Sequence, residues 1–85
     1  ALVVLLDGIP GHIQPEQGRD ILLALPGVVD VHHVHIWSLS TSQVALTAHV
    51  CRRDSGIDDL ELLHRAKDAL AAIGVEHSTL QLEPG

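Results

Sequence analysis

Three histidines lie within four consecutive positions of this chain, close to its only tryptophan. His32, His33 and His35 belong to the stretch 28–39 (VVDVHHVHIWSL), and the whole chain has seven histidines among 85 residues. Neutral imidazole nitrogens are ligands for borderline divalent cations such as Zn²⁺. A single histidine is more often satisfied by a backbone carbonyl, but a group of this density favours a metal site.

Turn residues and hydrophobic periodicity predict five elements around these histidines, in the order helix, strand, strand, helix, strand. The first helix opens at 14–16 (QPE), where a proline suits the first helical position, and it ends at 26–27 (PG). Within it, Gly18 lowers helix stability by roughly 1 kcal/mol relative to alanine but allows close packing. The histidine strand follows, and the turn at 40–42 leads into a second strand at 43–52.

The second half of the chain contains a helix followed by a strand. Either Ser55 or Asp58 caps the helix, and Gly74 ends it. The predicted buried stripe of this helix consists of Leu60, Leu63, Ala66, Leu70 and Ile73. The final strand covers 75–83. This order predicts an α+β domain, an open αββαβ sandwich with two helices on one face of a three-stranded sheet.

The sheet face away from the helices should carry most of the polar strand residues. From the last two strands, alternation places on this face His49, Cys51, His77, Thr79, Gln81 and Glu83. Together with His32 or His33, His49 and Glu83 form a candidate Zn²⁺ site in which three protein ligands leave a fourth position open. Cys51 is a weaker candidate, because a free cysteine more often fills a small apolar space.

Alternation alone does not settle the face on which His32 lies. Strict alternation places His33 and His35, rather than His32, on the same face as His49. Either a β-bulge shifts the start of the strand, or the ligands gather at the end of the sheet, where alternation matters less. The strand pattern leaves both arrangements open.

Composition limits the classes of function. A formal net charge of −6 without a basic patch argues against a nucleic-acid or anionic-membrane surface. The apolar share of 46% is almost entirely aliphatic, so we expect dimerisation or metal binding to support a thin core. The single cysteine excludes an internal disulfide and fits a reducing compartment. The serines near the histidines lack a glycine-rich elbow or phosphate loop, so an enzyme is not expected.

Five segments, in order, resemble the cytoplasmic C-terminal domain of the cation diffusion facilitator transporters, which export zinc, cobalt and cadmium. These segments are 5–10 (LLDGIP), 25–28 (LPGV), 31–39 (VHHVHIWSL), 45–50 (ALTAHV) and 77–83 (HSTLQLE). They extend over nearly the whole chain, and the HxxHIWSL and TAHV motifs are fairly specific to that domain. The resemblance implies a ferredoxin-like, metallochaperone-like fold and a homodimer that binds Zn²⁺ near its interface, with Co²⁺ or Cd²⁺ as alternative cations.

The resemblance also assigns metal binding to individual residues. The ligands that it implies are His32, His49 and Glu83, joined in some members by residues at the positions of His77 and His64. It therefore favours His32 as the histidine that shares a face with His49. No cysteine pair follows Glu83, so a site that uses one is not expected, whereas His33 and His12 are additional donors.

The resemblance implies a place for this chain within a larger protein. Residues 1–13 are expected to connect to a transmembrane transport domain that precedes them, and residues 14–85 to form a regulatory domain. The apolar run 1–6 is too short to span a bilayer and suits either an edge strand or a linker. The implied function is dimerisation and metal sensing at the cytoplasmic face of the inner membrane, without transport by this domain itself. The competing hypothesis is an αβ regulatory module that binds a small molecule, or only dimerises, without metal.

Overall fold

The computed structural model describes residues 13–85, which form two helices and one three-stranded sheet. The elements are α1 (Pro15–Leu23), β1 (Val28–Ser38), β2 (Val44–Arg52), α2 (Asp59–Ala72) and β3 (His77–Pro84). The predicted order of elements and the α+β class are confirmed. The expectations for the apolar run 1–6, for His12 and for all but the last residue of the connector 1–13 concern residues 1–12, which lie outside the described residues.

Both helices start where the sequence predicts, and the second helix also ends at its predicted glycine. Pro15 is the first residue of α1. At the start of α2, the Asp58 carboxylate accepts a hydrogen bond from the backbone N–H of Glu61 at 2.8 Å, so Asp58 rather than Ser55 is the cap. After α2, Gly74 has a φ of +101°, a backbone conformation that favours glycine and ends the helix.

The sheet has β2 at its centre, antiparallel to β1 and parallel to β3. Its inner face packs against both helices around a core of aliphatic side chains. The buried residues of this core are Leu22, Val31, Val44, Leu46, Ala48, Val50, Ala66, Leu70 and Val75. Along the strands these inner residues alternate with more exposed outer ones, so the described part of the chain leaves the opposite sheet face uncovered. We call this uncovered surface the open face.

The buried stripe of α2 differs from the prediction at its first member. Leu62, Ala66 and Leu70 are buried and four residues apart, whereas Leu60 is 62% exposed. Leu60 lies about 200° around the helix axis from Leu62, so the two side chains cannot both face the sheet. The apolar residues of this helix fit more than one stripe, and only packing against the sheet selects the stripe that is buried.

Gly18 allows α1 to lie close to the centre of the sheet. It is buried, and a β-carbon added there would lie 2.7 Å from Leu46 Cδ1. Leu46 is fully buried in β2, the strand that also carries His49. The close approach predicted for this glycine is therefore present, and it helps to fix β2 against the helix layer.

Candidate metal centre

Two neighbouring rows of outward-facing residues cross the open face from β1 through β2 to β3. In that order, the histidine row is His32, His49 and Gln81, and the cysteine row is Asp30, Cys51 and Glu83. Within each strand the members of the two rows are two residues apart, so they lie on the same face of the sheet. Pairing between strands therefore brings imidazole, carboxylate and thiol groups together from three separate segments of the sequence.

A β-bulge in β1 determines which histidines reach the open face. His32 pairs with His49 and His35 pairs with Thr47, so two residues of β1, 33 and 34, lie opposite one residue of β2. His33 has a φ of +54°, in the left-handed region. As a result His32 and His33 both lie on the open face, while Val34 packs against the core. Of the two arrangements that the sequence left open, the structure therefore has the bulge.

The Glu83 carboxylate lies close to the imidazole rings of both His32 and His49. Its Oε2 lies 2.5 Å from His49 Nδ1, and its Oε1 lies 3.5 Å from His32 Nε2. The side-chain amide of Gln81 donates a hydrogen bond to Glu83 Oε2 at 3.1 Å. His32, His49 and Glu83 are each partly shielded from solvent, with side chains 35%, 35% and 26% exposed. The three residues predicted as principal ligands are thus brought together by the fold.

The pKa of Glu83 is lowered from its ordinary value, chiefly because His49 donates a hydrogen bond to its charged form. Partial desolvation opposes this effect, and the charges of His49 and His32 add to it. The carboxylate is therefore held ionised beside the imidazoles. A divalent cation requires its carboxylate ligands to be ionised, so Glu83 is in the state that metal binding needs.

His33 supplies a third imidazole to the centre. One ring nitrogen from each of His32, His33 and His49 lies within 4.8 Å of the other two. The ring centroid of His33 is 4.9 Å from that of His32 and 4.9 Å from that of His49. The bulge therefore places His33, which the sequence offered as an additional donor, beside His32 and His49.

The donor set fits a zinc ion in chemistry and nearly in spacing. Zn–N and Zn–O bonds of about 2.0–2.1 Å place neighbouring tetrahedral donors about 3.4 Å apart. The 3.5 Å distance between Glu83 Oε1 and His32 Nε2 already has this spacing. The 2.5 Å contact between His49 and Glu83 is a hydrogen bond, which must lengthen by about 1 Å for both atoms to ligate one ion. Imidazole and carboxylate together suit Zn²⁺.

Cys51 occupies the centre of the cysteine row, between Asp30 and Glu83. Its side chain is half-buried, and its pKa is raised first by desolvation and then by the negative charges of Glu83 and Asp30. The thiol is therefore protonated at neutral pH unless a cation replaces its proton. The expectation of an apolar filler does not describe this position, because Cys51 lies on the open face among charged groups.

Two predicted ligands lie apart from this cluster within one chain. His77 is exposed at the start of β3, six residues before Glu83 and roughly 20 Å away along the strand. His64 is exposed on α2, which packs against the opposite face of the sheet. Metal binding by either residue stays a prediction, since the described chain does not bring it to the centre.

Asp30 belongs to the cluster but was not among the predicted ligands. Its Oδ2 lies 3.4 Å from His32 Nδ1, and Asp30, His32 and Cys51 form a second group whose ligand atoms lie within 4.8 Å of one another. A signal for Asp30 exists in the sequence, because a residue two positions before His32 shares its face in any regular strand. The partner of Asp30 on β2 depends on the strand register, which the sequence does not give.

The chain matches the family model described as "Cation efflux protein, cytoplasmic domain" over residues 10–85. It is similar to the metal cation efflux system protein CzcD of Cupriavidus metallidurans, with 34% identity over 84 residues that cover 98% of this chain and 27% of that protein. It is also similar to the human proton-coupled zinc antiporter SLC30A8, with 34% identity over 84 residues that cover 95% of this chain and 22% of the antiporter. The chain thus spans about a quarter of the length of these relatives.

A solved structure gives the same result for the fold. The metal-bound C-terminal domain of the CzcD transporter from Cupriavidus metallidurans superposes with a TM-score of 0.71 at 33% identity, over 84% of this chain and 99% of that one. The predicted ferredoxin-like fold is confirmed by this match. Within residues 13–85, no helix is both long enough and apolar enough to cross a membrane. Because the family model covers nearly the whole chain, this chain belongs to the family of cytoplasmic domains of cation efflux proteins.

Proposed function

We propose that this chain is the dimerising, metal-sensing cytoplasmic domain of a divalent-cation efflux transporter, and that it binds Zn²⁺ on its open face. The observation that carries the proposal is the group of three imidazoles from His32, His33 and His49, two of which, His32 and His49, also contact the Glu83 carboxylate. The relatives described above are a metal cation efflux system protein and a proton-coupled zinc antiporter, and the solved neighbour is a metal-bound domain. Continuity with a transmembrane transport domain belongs to the same proposal.

The positions of the four donors suggest the part that each plays. His32 and His49 are neighbours on adjacent strands, Glu83 contacts both of them, and His33 adds a nitrogen through the bulge. When bound, a divalent cation supplies two positive charges beside the carboxylates of Glu83 and Asp30. Those charges offset part of the negative charge of a chain whose formal net charge is −6.

Calorimetric titration with Zn²⁺ at neutral pH tests the binding step. His49→Ala is expected to weaken binding by more than about tenfold, because loss of even an outer-shell partner costs this much. His35→Ala is the matched control: His35 lies on β1 near the centre but is not among its clustered donors. Binding should also weaken as pH falls through about 6.5, where imidazoles become protonated. Equal losses in the two variants, or unchanged affinity at pH 5, would contradict ligation by these histidines.

Dimerisation is the second part of the proposal. Trp37, near the end of β1, and Leu39, just after it, are 45% and 52% exposed. Because the aliphatic core is also small, a second chain would cover apolar surface that one chain leaves in water. For His64 or His77 to join the centre, a second chain would have to bring it there. Light scattering should report a homodimer of the metal-free protein. A monomer at the highest soluble concentration, with and without zinc, would contradict this part.

Sensing requires that zinc binds one arrangement of the dimer better than another. Zinc should then stabilise the fold by RT ln(1 + [L]/Kd), about 2.7 kcal/mol at a hundredfold excess over Kd. The fluorescence of Trp37 and the small-angle scattering profile should change with the same midpoint as the calorimetry. If zinc binds without changing either signal, the centre is not a sensor. If no metal binds, the chain is a small-molecule-binding or purely dimerising module instead.

A further inference from the structure

The cysteine row presents a second group of donors beside the zinc centre. Cys51 Sγ lies 3.9 Å from His32 Nδ1 and 3.8 Å from Glu83 Oε1. His32 Nδ1 also lies 3.4 Å from Asp30 Oδ2. Asp30 and Cys51 thus lie around Nδ1 of His32, whereas the other ring nitrogen, Nε2, is the one that lies near Glu83.

These distances fit a common cation. With the bond lengths of zinc, about 2.0–2.2 Å to nitrogen or oxygen and about 2.3 Å to sulfur, tetrahedral neighbours lie about 3.4–3.6 Å apart, and a larger cation such as Cd²⁺ widens this spacing. The separation between His32 and Asp30 has this value already, and the separation between Cys51 and His32 exceeds it by a few tenths of an ångström. All three ligand atoms lie within 4.8 Å of one another, so small side-chain rotations would bring them to ligating distance.

Arg19 of α1 holds the Asp30 carboxylate in place. Its Nη2 lies 3.7 Å from Asp30 Oδ1, and its Nε donates a hydrogen bond to the carbonyl oxygen of Val31 at 3.1 Å. One carboxylate oxygen therefore faces the arginine, while Oδ2 remains directed at His32. Outer contacts of this kind orient the ligands of metal sites.

We propose that Asp30, His32 and Cys51 form a second cation position that contains a thiolate and prefers soft cations such as Cd²⁺. A thiolate also binds Zn²⁺, but it favours the softer Cd²⁺ over Zn²⁺ more than imidazole and carboxylate do. Binding forms one metal–sulfur bond and breaks the S–H bond of Cys51, whose proton passes to the buffer. The inference rests on the proposed function in one respect: His32 belongs to both donor sets, so zinc and cadmium compete for its ring.

Titration with Cd²⁺ alone, in a non-coordinating buffer with a phosphine reductant, tests this position. A bound Cd–thiolate gives an ultraviolet charge-transfer band, and the band is unambiguous here because the chain has one cysteine. Cys51→Ser should abolish the band and weaken Cd²⁺ binding by about tenfold or more, while Zn²⁺ binding changes far less. Asp30→Asn changes a more exposed side chain and should weaken Cd²⁺ binding while the band is retained at saturation. This second variant keeps the test informative if Cys51→Ser does not fold.

His49→Ala separates the two proposals. It should weaken Zn²⁺ binding by more than about tenfold but keep the Cd–thiolate band, since His49 is not part of the second donor set. A wild-type chain that shows the band but does not bind zinc would refute the proposed zinc centre and leave the second position standing. The second position is overturned if Cd²⁺ binds without the band, or if Cys51→Ser weakens the binding of Cd²⁺ and Zn²⁺ equally. It is also overturned if the intensity of the band depends on protein concentration, because that dependence would mean that one ion cross-links two chains.

Discussion

Replacing His33 by glycine and, separately, by alanine would examine the bulge and the zinc centre together. Both substitutions remove the same imidazole, but glycine and alanine differ in how readily they adopt the positive φ of +54° at this position. Glycine adopts positive φ readily, whereas alanine does not. The pair therefore separates the loss of a ligand from the effect on the backbone.

The expected difference in stability follows from two opposing free energies. The left-handed conformation costs an L-residue about 1–2 kcal/mol, which glycine avoids. Glycine in turn loses about 0.5–1 kcal/mol relative to alanine, because it has more conformational freedom in the unfolded chain. His33→Gly should therefore be more stable than His33→Ala by about 0.5–1 kcal/mol, which for a domain of this size is several degrees in Tm.

Thermal unfolding of the metal-free variants, followed by circular dichroism, measures this difference, and zinc calorimetry measures the loss of the ligand. Both His33 variants should lose zinc affinity by the same factor. The matched control is the same pair of substitutions at His35, which lies on the same strand and is not among the described non-glycine residues with positive φ. At His35 the order should reverse, with alanine more stable than glycine.

An alanine variant at His33 that melts above the glycine variant would refute the reasoning. It would mean that this residue has ordinary strand geometry, and the bulge that brings His32 and His33 to one face would then be wrong. Unchanged zinc affinity in both variants would have a different meaning. It would remove His33 from the ligand set and leave the bulge intact.

Two further predictions concern acid stability and packing. Because the hydrogen bond from His49 lowers the pKa of Glu83, the ionised carboxylate stabilises the metal-free protein. This contribution is complete above the ordinary pKa of 4.5 and is lost as pH falls through the lowered pKa. In acid unfolding over this pH range, Glu83→Gln should therefore lose less stability than wild type, and the exposed Glu76→Gln should behave as wild type. Gly18→Ala should lower stability by about 1 kcal/mol, since overpacking against Leu46 outweighs the gain in helix propensity, and a raised Tm would contradict this.

Much of the fold follows from local pattern. The order of elements and the inner and outer faces of β2 and β3 follow from alternation, turn residues and capping residues, which act over a few positions of the chain. Capping chemistry also reduced the cap of α2 to two candidates, of which the structure selects Asp58. The chemistry of the centre is also present in the sequence, because imidazole and carboxylate identify a borderline divalent cation before any geometry is known. His49 and Glu83 were placed on the open face by alternation alone.

The tertiary structure decided the rest, because strand register and helix orientation depend on residues far apart in the sequence. Val31 and Val34 are three positions apart, so a regular strand would bury only one of them, and the bulge at His33 lets both pack toward the core. Once the bulge fixes the register, Asp30 pairs with Cys51, and His32 pairs with His49. The sequence by itself determined which chemical groups this domain has available, whereas pairing across three strands determined which of them can meet around one ion.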